Sequence, residues 1–328
     1  MQIGMHATNR STQVLLLSAL AVLLICTIVQ AQTGAGLLLK PWPTDQFLEN
    51  TTDAYIFNAS RTDGGQSLQV SDSDSCGRLR LQPGNFASPR LGYDFHFLDT
   101  SSKSGIIPRE LTDLSLAVGS AVGEYHGWIA GMTVGVGYAG DAAFSRGSAW
   151  YGKATFDLGK QVTDQGIVAL ILDYDGNRPY FPDIPLPGVV YRHHFDDTLC
   201  LSVGLPYSCI VWNPIDKFRF EASYRLASKF TAQIGYELVK HVSVFGGYHY
   251  VQEAYHIDGL GSRQRLLFSD QRVEAGVEYN PNTRCSFRLA AGYAFDNRFD
   301  RGFGFENTHG LVSFGDTPYV RATLELKI

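Results

Sequence analysis

The stretch KFRFEASYRLASKFTAQIGYEL, residues 217–238, decides how this chain is expected to fold. Its side chains alternate with a period of two: apolar residues such as Phe218 follow polar residues such as Lys217, and the pattern resumes after a break at 227–228. Because successive side chains of an extended chain point to opposite faces, a period of two predicts β-strands. Two such strands with a tight connection form an antiparallel hairpin.

The segment WIAGMTVGVGY, residues 128–138, favours a membrane barrel over a soluble sandwich. Both folds place apolar residues on one face of a strand, so alternation alone does not separate them. Trp128 and Tyr138 lie ten residues apart on one face, which is about 33 Å along a strand. A strand tilted by about 40° then spans roughly 25 Å, the height of the apolar band between the aromatic girdles of an outer-membrane barrel.

Similar alternation recurs along the chain to the C-terminus. Further strands are predicted at residues 91–99, 113–122, 149–158, 166–173, 189–195, 199–212, 242–251, 267–279, 284–295 and 317–328. The strand at 199–212 is expected to be kinked at Pro206. The sequence therefore predicts an all-β, antiparallel, up-and-down transmembrane β-barrel of about 12 strands, with a range of roughly 10 to 14 set by uncertain strand boundaries.

The N-terminal region is expected to carry a secretory signal at residues 1–31. An apolar run over residues 14–29 is shorter than the roughly 20 residues of a spanning helix, and small residues around Ala31 suit cleavage there. A permanent membrane anchor is the alternative. Residues 32–85 are interpreted as a loop-rich lead-in with short strands near 53–58 and 78–81, and residues 86–328 as the barrel.

Composition excludes several classes of function. The formal charge is −5, and loss of residues 1–31 removes Arg10 and no acid, giving −6. No basic stripe is present, so nucleic acid is not expected as a partner. The mature chain keeps four cysteines, Cys76, Cys200, Cys209 and Cys285, without zinc-type spacing, so no metal or cofactor is predicted. Whether Cys200 and Cys209 pair is left open.

Several segments resemble an uncharacterised family of bacterial outer-membrane β-barrels, a domain of unknown function. The segments are LGYDFHFLD (91–99), LPGVVYR (186–192), GLPYSCIVW (204–212), RLLFSDQRVEAGVEY (265–279), AAGYAFDNRF (290–299) and DTPYVRATLEL (316–326). The resemblance covers roughly residues 85–328. It implies the barrel fold and the membrane, and it implies no activity and no catalytic or binding residues.

Charged residues on the polar faces of the strands are expected to project into the lumen. They are Arg219, Glu221, Arg225, Glu237, Arg272, Glu274, Glu278, Arg288, Arg321 and Glu325. One interpretation is a constriction that filters solutes by charge. The other is a ladder of ion pairs across neighbouring strands that fills a narrow barrel and keeps it shut.

A second polar group is expected on two neighbouring strands. Asp94 and His96 share the inner face of one strand, and Asp113 and Ser115 share that of the next. Such a cluster could be a catalytic or metal site or a buried hydrogen-bond network. No Ser–His–acid set is found on one face, so the chain is predicted not to be an enzyme.

Three hypotheses about function follow. The first is an outer-membrane barrel of a Gram-negative-type bacterium, structural or weakly solute-conducting, with outer-membrane lipid as its surroundings and a small solute as a candidate lumen partner. The second is an outer-membrane lipid-modifying enzyme that uses histidines such as His193 and His249. The third is a soluble secreted β-barrel or sandwich that binds a ligand. The sequence does not indicate a solute, a substrate or an oligomeric state.

Overall fold

The structure is a computed structural model that describes residues 33–39, 42, 45–85, 87–101, 107–196, 198–226, 228–261 and 263–328. The predicted signal at residues 1–31 lies outside the described residues. One short helix, α1 (Ala35–Leu39), precedes the strands. The strands are β1 Leu48–Phe57, β2 Ser60–Arg61, β3 Ser67–Leu68, β4 Val70–Arg80, β5 Arg90–Thr100, β6 Glu110–Tyr125, β7 Trp128–Gly140, β8 Trp150–Thr163, β9 Gly166–Asp175, β10 Leu186–Asp196, β11 Leu199–Gly204, β12 Tyr207–Trp212, β13 Phe218–Arg225, β14 Lys229–Val239, β15 Val242–Tyr255, β16 Arg265–Asn282, β17 Cys285–Gly302, β18 Thr308–Phe314 and β19 Thr317–Lys327.

The strands close into a barrel. β1 pairs with β4 on one side and with β19 on the other, and all pairings between the described strands are antiparallel. Sixteen of these strands form the wall; β18 extends beyond it beside the end of β17, and β2 and β3 form a small separate hairpin. The prediction of an all-β antiparallel closed barrel is confirmed. No helix among the described residues is long and apolar enough to cross a membrane.

The barrel has more strands than the predicted number of about 12, and it begins at Leu48 instead of residue 86. β1 and β4 both lie in the segment interpreted as a lead-in. Only short strands near 53–58 and 78–81 were predicted there, because the outer faces of β1 and β4 carry small polar residues, including Thr52, Ser73 and Ser75, and the alternation is weak. The segment 199–212 is a hairpin, β11–β12, and not one kinked strand.

The two ends of the barrel differ. Tight connections join β6 to β7, β8 to β9, β10 to β11, β14 to β15 and β16 to β17 at one rim, here called the short-turn end. Most of the longer segments, those at 58–69, 141–149, 176–185, 256–264 and 303–316, lie at the opposite rim, the long-loop end. β1 begins and β19 ends at the short-turn end, where the two strands pair.

The wall separates apolar and polar side chains as the sequence predicts. On β7, Val134 is 41% exposed on the outside, whereas the neighbouring Thr133 is fully buried on the inside. On β14, Ile234 and Tyr236 are exposed outside, and Gln233, the residue before Ile234, faces inward beside Glu221 of β13. Because exposed apolar side chains recur around the wall, the outer surface of the barrel is apolar.

The long-loop end is closed by the barrel's own wall. Beyond Val251, β15 turns into the lumen, and the backbone N–H of His256 donates a hydrogen bond to the carbonyl of Ala139 at 3.0 Å. Ala139 belongs to β7, which lies half a turn around the sixteen-strand ring from β15. Around this contact lies a buried apolar cluster, here called the mouth cluster: Tyr55, Phe57, Leu68, Val70, Leu98, Ile107, Leu111, Ala139, Tyr255, Ile257, Leu266, Phe268, Ala294, Phe299, Phe314 and Tyr319.

Two adjacent positions on β14 test which face meets hydrocarbon. Ile234→Arg places a charge on the exposed apolar face, and we expect it to lower the free energy of unfolding of the barrel in lipid vesicles by about 2–4 kcal/mol. Gln233→Arg is the matched control; it faces the lumen and should cost less than about 1 kcal/mol. Urea titrations in vesicles measure both values. Equal effects at the two positions would contradict the assignment of the faces.

Candidate functional site: the charged lumen

A cluster of ion pairs surrounds Arg321 of β19 on the inner face of the barrel. Its guanidinium lies 2.5 Å from Glu274 Oε1 of β16 and 3.6 Å from Asp53 Oδ1 of β1. Glu274 also accepts a hydrogen bond from the hydroxyl of Tyr319 at 3.0 Å and lies 3.1 Å from Nε2 of His249. Side chains of four strands, β1, β15, β16 and β19, therefore meet in this cluster, and the Glu274 side chain within it is fully buried.

A second ion-pair cluster lies nearer the short-turn end. Arg288 of β17 lies 2.9 Å from Glu325 and 3.4 Å from Glu278, which are on the two neighbouring strands. Lys327 lies 2.5 Å from the other oxygen of Glu325. The Arg288 guanidinium therefore lies between Glu278 and Glu325, as expected for opposite charges on one face of neighbouring strands.

A third cluster surrounds Arg272 of β16. Its guanidinium lies 2.7 Å from both Asp72 and Asp270, and over the ring of Tyr55 at 4.3 Å. The guanidinium is almost completely buried. Arg272 therefore connects the charged lumen to the mouth cluster, of which Tyr55 is a member.

The remaining predicted lumen charges lie at the two ends of β13 and on β14. Arg219 and Glu221 on β13 pair with each other at the short-turn end, where the Arg219 side chain is 55% exposed. Glu237 lines a cavity at the same end of the barrel. Arg225 lies at the other end of β13, beside an inner cavity.

The predicted polar cluster is assembled on β5 and β6, where Asp94 pairs in register with Ser115 and His96 with Asp113. His96 bonds to side chains from other strands: its Nε2 lies 2.7 Å from Asp72 Oδ1, and its Nδ1 lies 2.6 Å from Glu253 Oε2.

The two β6 members of this cluster also have partners outside it. Asp113 accepts hydrogen bonds from the Tyr151 hydroxyl at 2.5 Å and from Asn177 Nδ2 at 2.9 Å. Ser115 lies 3.3 Å from the hydroxyl of Thr33. Three of the four members therefore belong to a wide hydrogen-bond network, and Asp94 has no hydrogen bond or ion pair to any described residue.

Two cavities occupy the lumen. The inner cavity, about 130 Å³, is lined by charged residues of β5, β6, β8, β9, β13, β14 and β15 together with Pro206, Leu226, Ser228 and Gln252. The second cavity, about 550 Å³, lies at the short-turn end and is lined by both cations and carboxylates, among them Lys217, Glu237 and Arg288. The ion-pair clusters around Arg321 and Arg288 occupy the wall beside and between these spaces.

An N-terminal segment lies inside the barrel, which the sequence did not indicate. Thr33 is buried, and its hydroxyl accepts a hydrogen bond from Lys153 Nζ at 3.2 Å. Leu37 of α1 packs against β6: a Cβ on Gly119 would lie 3.3 Å from its Cδ2. The glycines on the inner face of β6 and β7 therefore leave room for other groups inside the barrel.

Sequence reasoning also missed a group of metal-ligand type. Asp74 and Cys76 lie two residues apart on the inner face of β4, and Cys76 pairs in register with Asp94 of β5. A carboxylate oxygen from each aspartate and the Cys76 sulfur all lie within 4.8 Å of one another. The signal that could have found them is DSDSC at residues 72–76, whose alternate residues share a face.

The two histidines considered for lipid chemistry lie on opposite faces. His193 is on the outer face, where its Nδ1 lies 2.8 Å from the Tyr191 hydroxyl, whereas His249 is inside beside Glu274. Neither histidine bonds to a serine hydroxyl among the described residues. The arrangement that a serine hydrolase needs is therefore not formed by these two histidines.

No family model and no curated protein matches this chain. Among solved structures, similar folds include a mutant of the monoaromatic hydrocarbon channel TodX (12% identity, TM-score 0.43, 90% of this chain and 92% of that one). The Pseudomonas putida toluene transporter TodX (11%, 0.38, 90% and 92%) and a Pseudomonas aeruginosa FadL homologue (10%, 0.38, 92% and 99%) are also similar. At these scores the assignment of the barrel rests on the strand pairings of this chain itself.

The clusters of buried charge make a test of lumen energetics. Arg321→Met leaves Glu274 and Asp53 without their cation, and we expect the free energy of unfolding to fall by about 3–5 kcal/mol. Arg219→Met removes an exposed pair and should cost less than about 1 kcal/mol. Urea unfolding of the two variants in the same vesicles gives the comparison. A loss below 1 kcal/mol for Arg321→Met would show that the lumen solvates these carboxylates.

Proposed function

We propose that this protein is a non-enzymatic outer-membrane β-barrel whose lumen holds small polar solutes and is closed to free ion flow in the conformation seen here. The single observation that carries the proposal is the contact of β15 with β7 across the lumen, from His256 N–H to the Ala139 carbonyl. A wall strand that reaches the opposite side of the ring closes the mouth that it crosses.

The membrane part of the proposal rests on the two faces of the wall. In hydrocarbon every backbone polar group of a spanning segment must be paired internally, and a closed barrel satisfies this condition. The outside carries exposed apolar side chains such as Met132, Val134 and Leu289, and the inside carries charges. A soluble sandwich would cover the apolar face with a second sheet, and no such sheet lies over these residues within the described chain.

The orientation follows from the lengths of the connections. Outer-membrane barrels have short periplasmic turns and longer extracellular loops. The short-turn end would then face the periplasm and the closed long-loop end the outside of a Gram-negative-type bacterium, after removal of a signal peptide near Ala31. Outer-membrane lipid would surround the wall.

The solute part of the proposal rests on the chemistry of the two cavities. Both are lined by charged and hydroxyl groups, which suit small polar molecules better than hydrocarbons. The ion-pair clusters around Arg272 and Arg288 lie on the inner wall. Charged side chains that line a pore discriminate among solutes by charge. A lipid-modifying enzyme is the weaker proposal because His193 and His249 lie on opposite faces.

Planar bilayer recordings test the closure. We expect the folded protein to show no steady ion steps at neutral pH, because the apolar mouth cluster and the β15–β7 contact obstruct the long-loop end. Phe268→Asp places a charge inside that cluster, and we expect steady steps to appear because the packed mouth can no longer exclude water. Val134→Ala on the lipid face is the control and should remain silent. Steady steps from the unaltered protein would overturn the closed state.

The pH dependence of the closure gives an independent test. The pKa of His256, at the β15–β7 contact, is lowered to about 4, chiefly by burial and also by the cation of Arg265, while Asp183 opposes the shift. The neutral imidazole is therefore the form that fits the closed mouth. Its contribution is complete above the ordinary histidine value of about 6.5 and declines as the pH falls towards 4.

We therefore expect bilayer conductance to rise as the pH falls from about 7 to about 5, above the range in which carboxylates normally protonate. His256→Gln cannot be protonated and should remove the rise within this window. Conductance that is independent of pH in the unaltered protein, or a rise that persists in His256→Gln, would show that this histidine does not control the mouth.

A further inference from the structure

We propose that Asp74, Cys76 and Asp94 form a binding site for one divalent metal ion of the zinc type on the inner wall of the barrel. This inference goes beyond the proposed function, because it requires neither conduction nor a particular solute. It rests on the positions of three ligand atoms, on their burial and on the charges around them.

The positions follow from the sheet. Asp74 and Cys76 share the inner face of β4, and Asp94 lies directly across from Cys76 on β5. The three candidate ligand atoms lie within 4.8 Å of one another. Ligands of a tetrahedral zinc ion are about 3.5 Å apart, so side-chain rotations that close the group by about 1 Å would bring all three into the first coordination sphere.

The hydrogen bonds of the group point to a missing partner. The Cys76 side chain is 1% exposed, and its thiol is free. Oδ1 of Asp74 is buried and has no hydrogen-bond partner, and Asp94 has no hydrogen bond or ion pair to any described residue. Buried carboxylate oxygens normally have partners, so the unpaired Oδ1 of Asp74, close to the buried thiol of Cys76, requires an explanation.

The charges of the group balance with a divalent ion. Two carboxylates and one thiolate supply three negative charges, and Lys229, whose Nζ lies 3.1 Å from Oδ2 of Asp74, supplies one positive charge. A divalent ion brings the sum to zero. Binding displaces the proton from the Cys76 thiol to solvent, since the thiolate is the form that binds metal.

The ligand set favours zinc over calcium or magnesium. Hard cations prefer six or more oxygen ligands, whereas a sulfur ligand selects softer ions. Three protein ligands leave a fourth position open in a tetrahedral site. Asp94 and Lys229 both line the inner cavity, so this fourth position would face a space large enough for water or a small solute.

Metal titration of the full-length folded protein in detergent, reduced and freed of metal with a chelator, tests the site. We expect one equivalent of Zn²⁺ to bind, and Co²⁺ to give a thiolate-to-metal charge-transfer absorption band. Cys76→Ser should abolish the band and weaken Zn²⁺ binding by at least about tenfold, and Asp94→Asn should weaken it similarly. Cys285→Ser on β17 is the matched control and should change neither result.

Lys229→Gln gives a test in the opposite direction. Because it removes a cation next to Asp74, we expect Zn²⁺ to bind about tenfold more tightly. Retention of the folded, heat-modifiable form on gels shows that each variant is a folded barrel. Absence of one-equivalent binding, equal binding by the unaltered protein and by Cys76→Ser and Asp94→Asn, or no gain in Lys229→Gln would overturn the proposal.

Discussion

The pairing of β1 with β19 is the constraint on which the whole structure depends. Nine residues of β1, from Glu49 to Phe57, are in register with β19, and this ladder joins the two ends of the sheet. Without it, two strand edges with unpaired backbone groups would face hydrocarbon, where each unpaired group costs several kcal/mol. Closure also creates an inside. Only an enclosed lumen lets charges such as Arg321 and Glu274 pair away from lipid on a wall whose outer surface is apolar.

The sequence predicted the features that depend on local alternation. The β13–β14 hairpin and the long strand β7 have a clear period of two, because their outer faces lie in apolar surroundings and their inner faces line the polar lumen. Only short pieces of β1 and β4 could be found in this way, since small polar residues such as Thr52 and Ser73 interrupt the apolar positions of their outer faces. The break between β11 and β12 was mistaken for a kink, because Gly204 and Pro206 are compatible with either a bend or a turn.

The lumen was predictable as a face but not as a set of contacts. Parity along a strand tells which charges point inward, but which residues meet depends on the register of several strands and on where the sheet bends. Asp72 of β4 thus contacts His96 of β5 and Arg272 of β16, which are separated by most of the chain. The inward turn of β15 after Val251 was not visible either, because its residues keep pairing with β16 through the turn.

This last feature determines how the mouth could move. The part of β15 that crosses the lumen stays hydrogen-bonded to β16, and β16 in turn to β17, so the obstruction is a multi-strand ribbon and not a loose loop. Loop motions occur in nanoseconds to microseconds, whereas collective movements of packed elements take microseconds to milliseconds. Passage of a solute through the long-loop end would therefore require rare, concerted movements, and its rate would depend on the stiffness of the barrel wall.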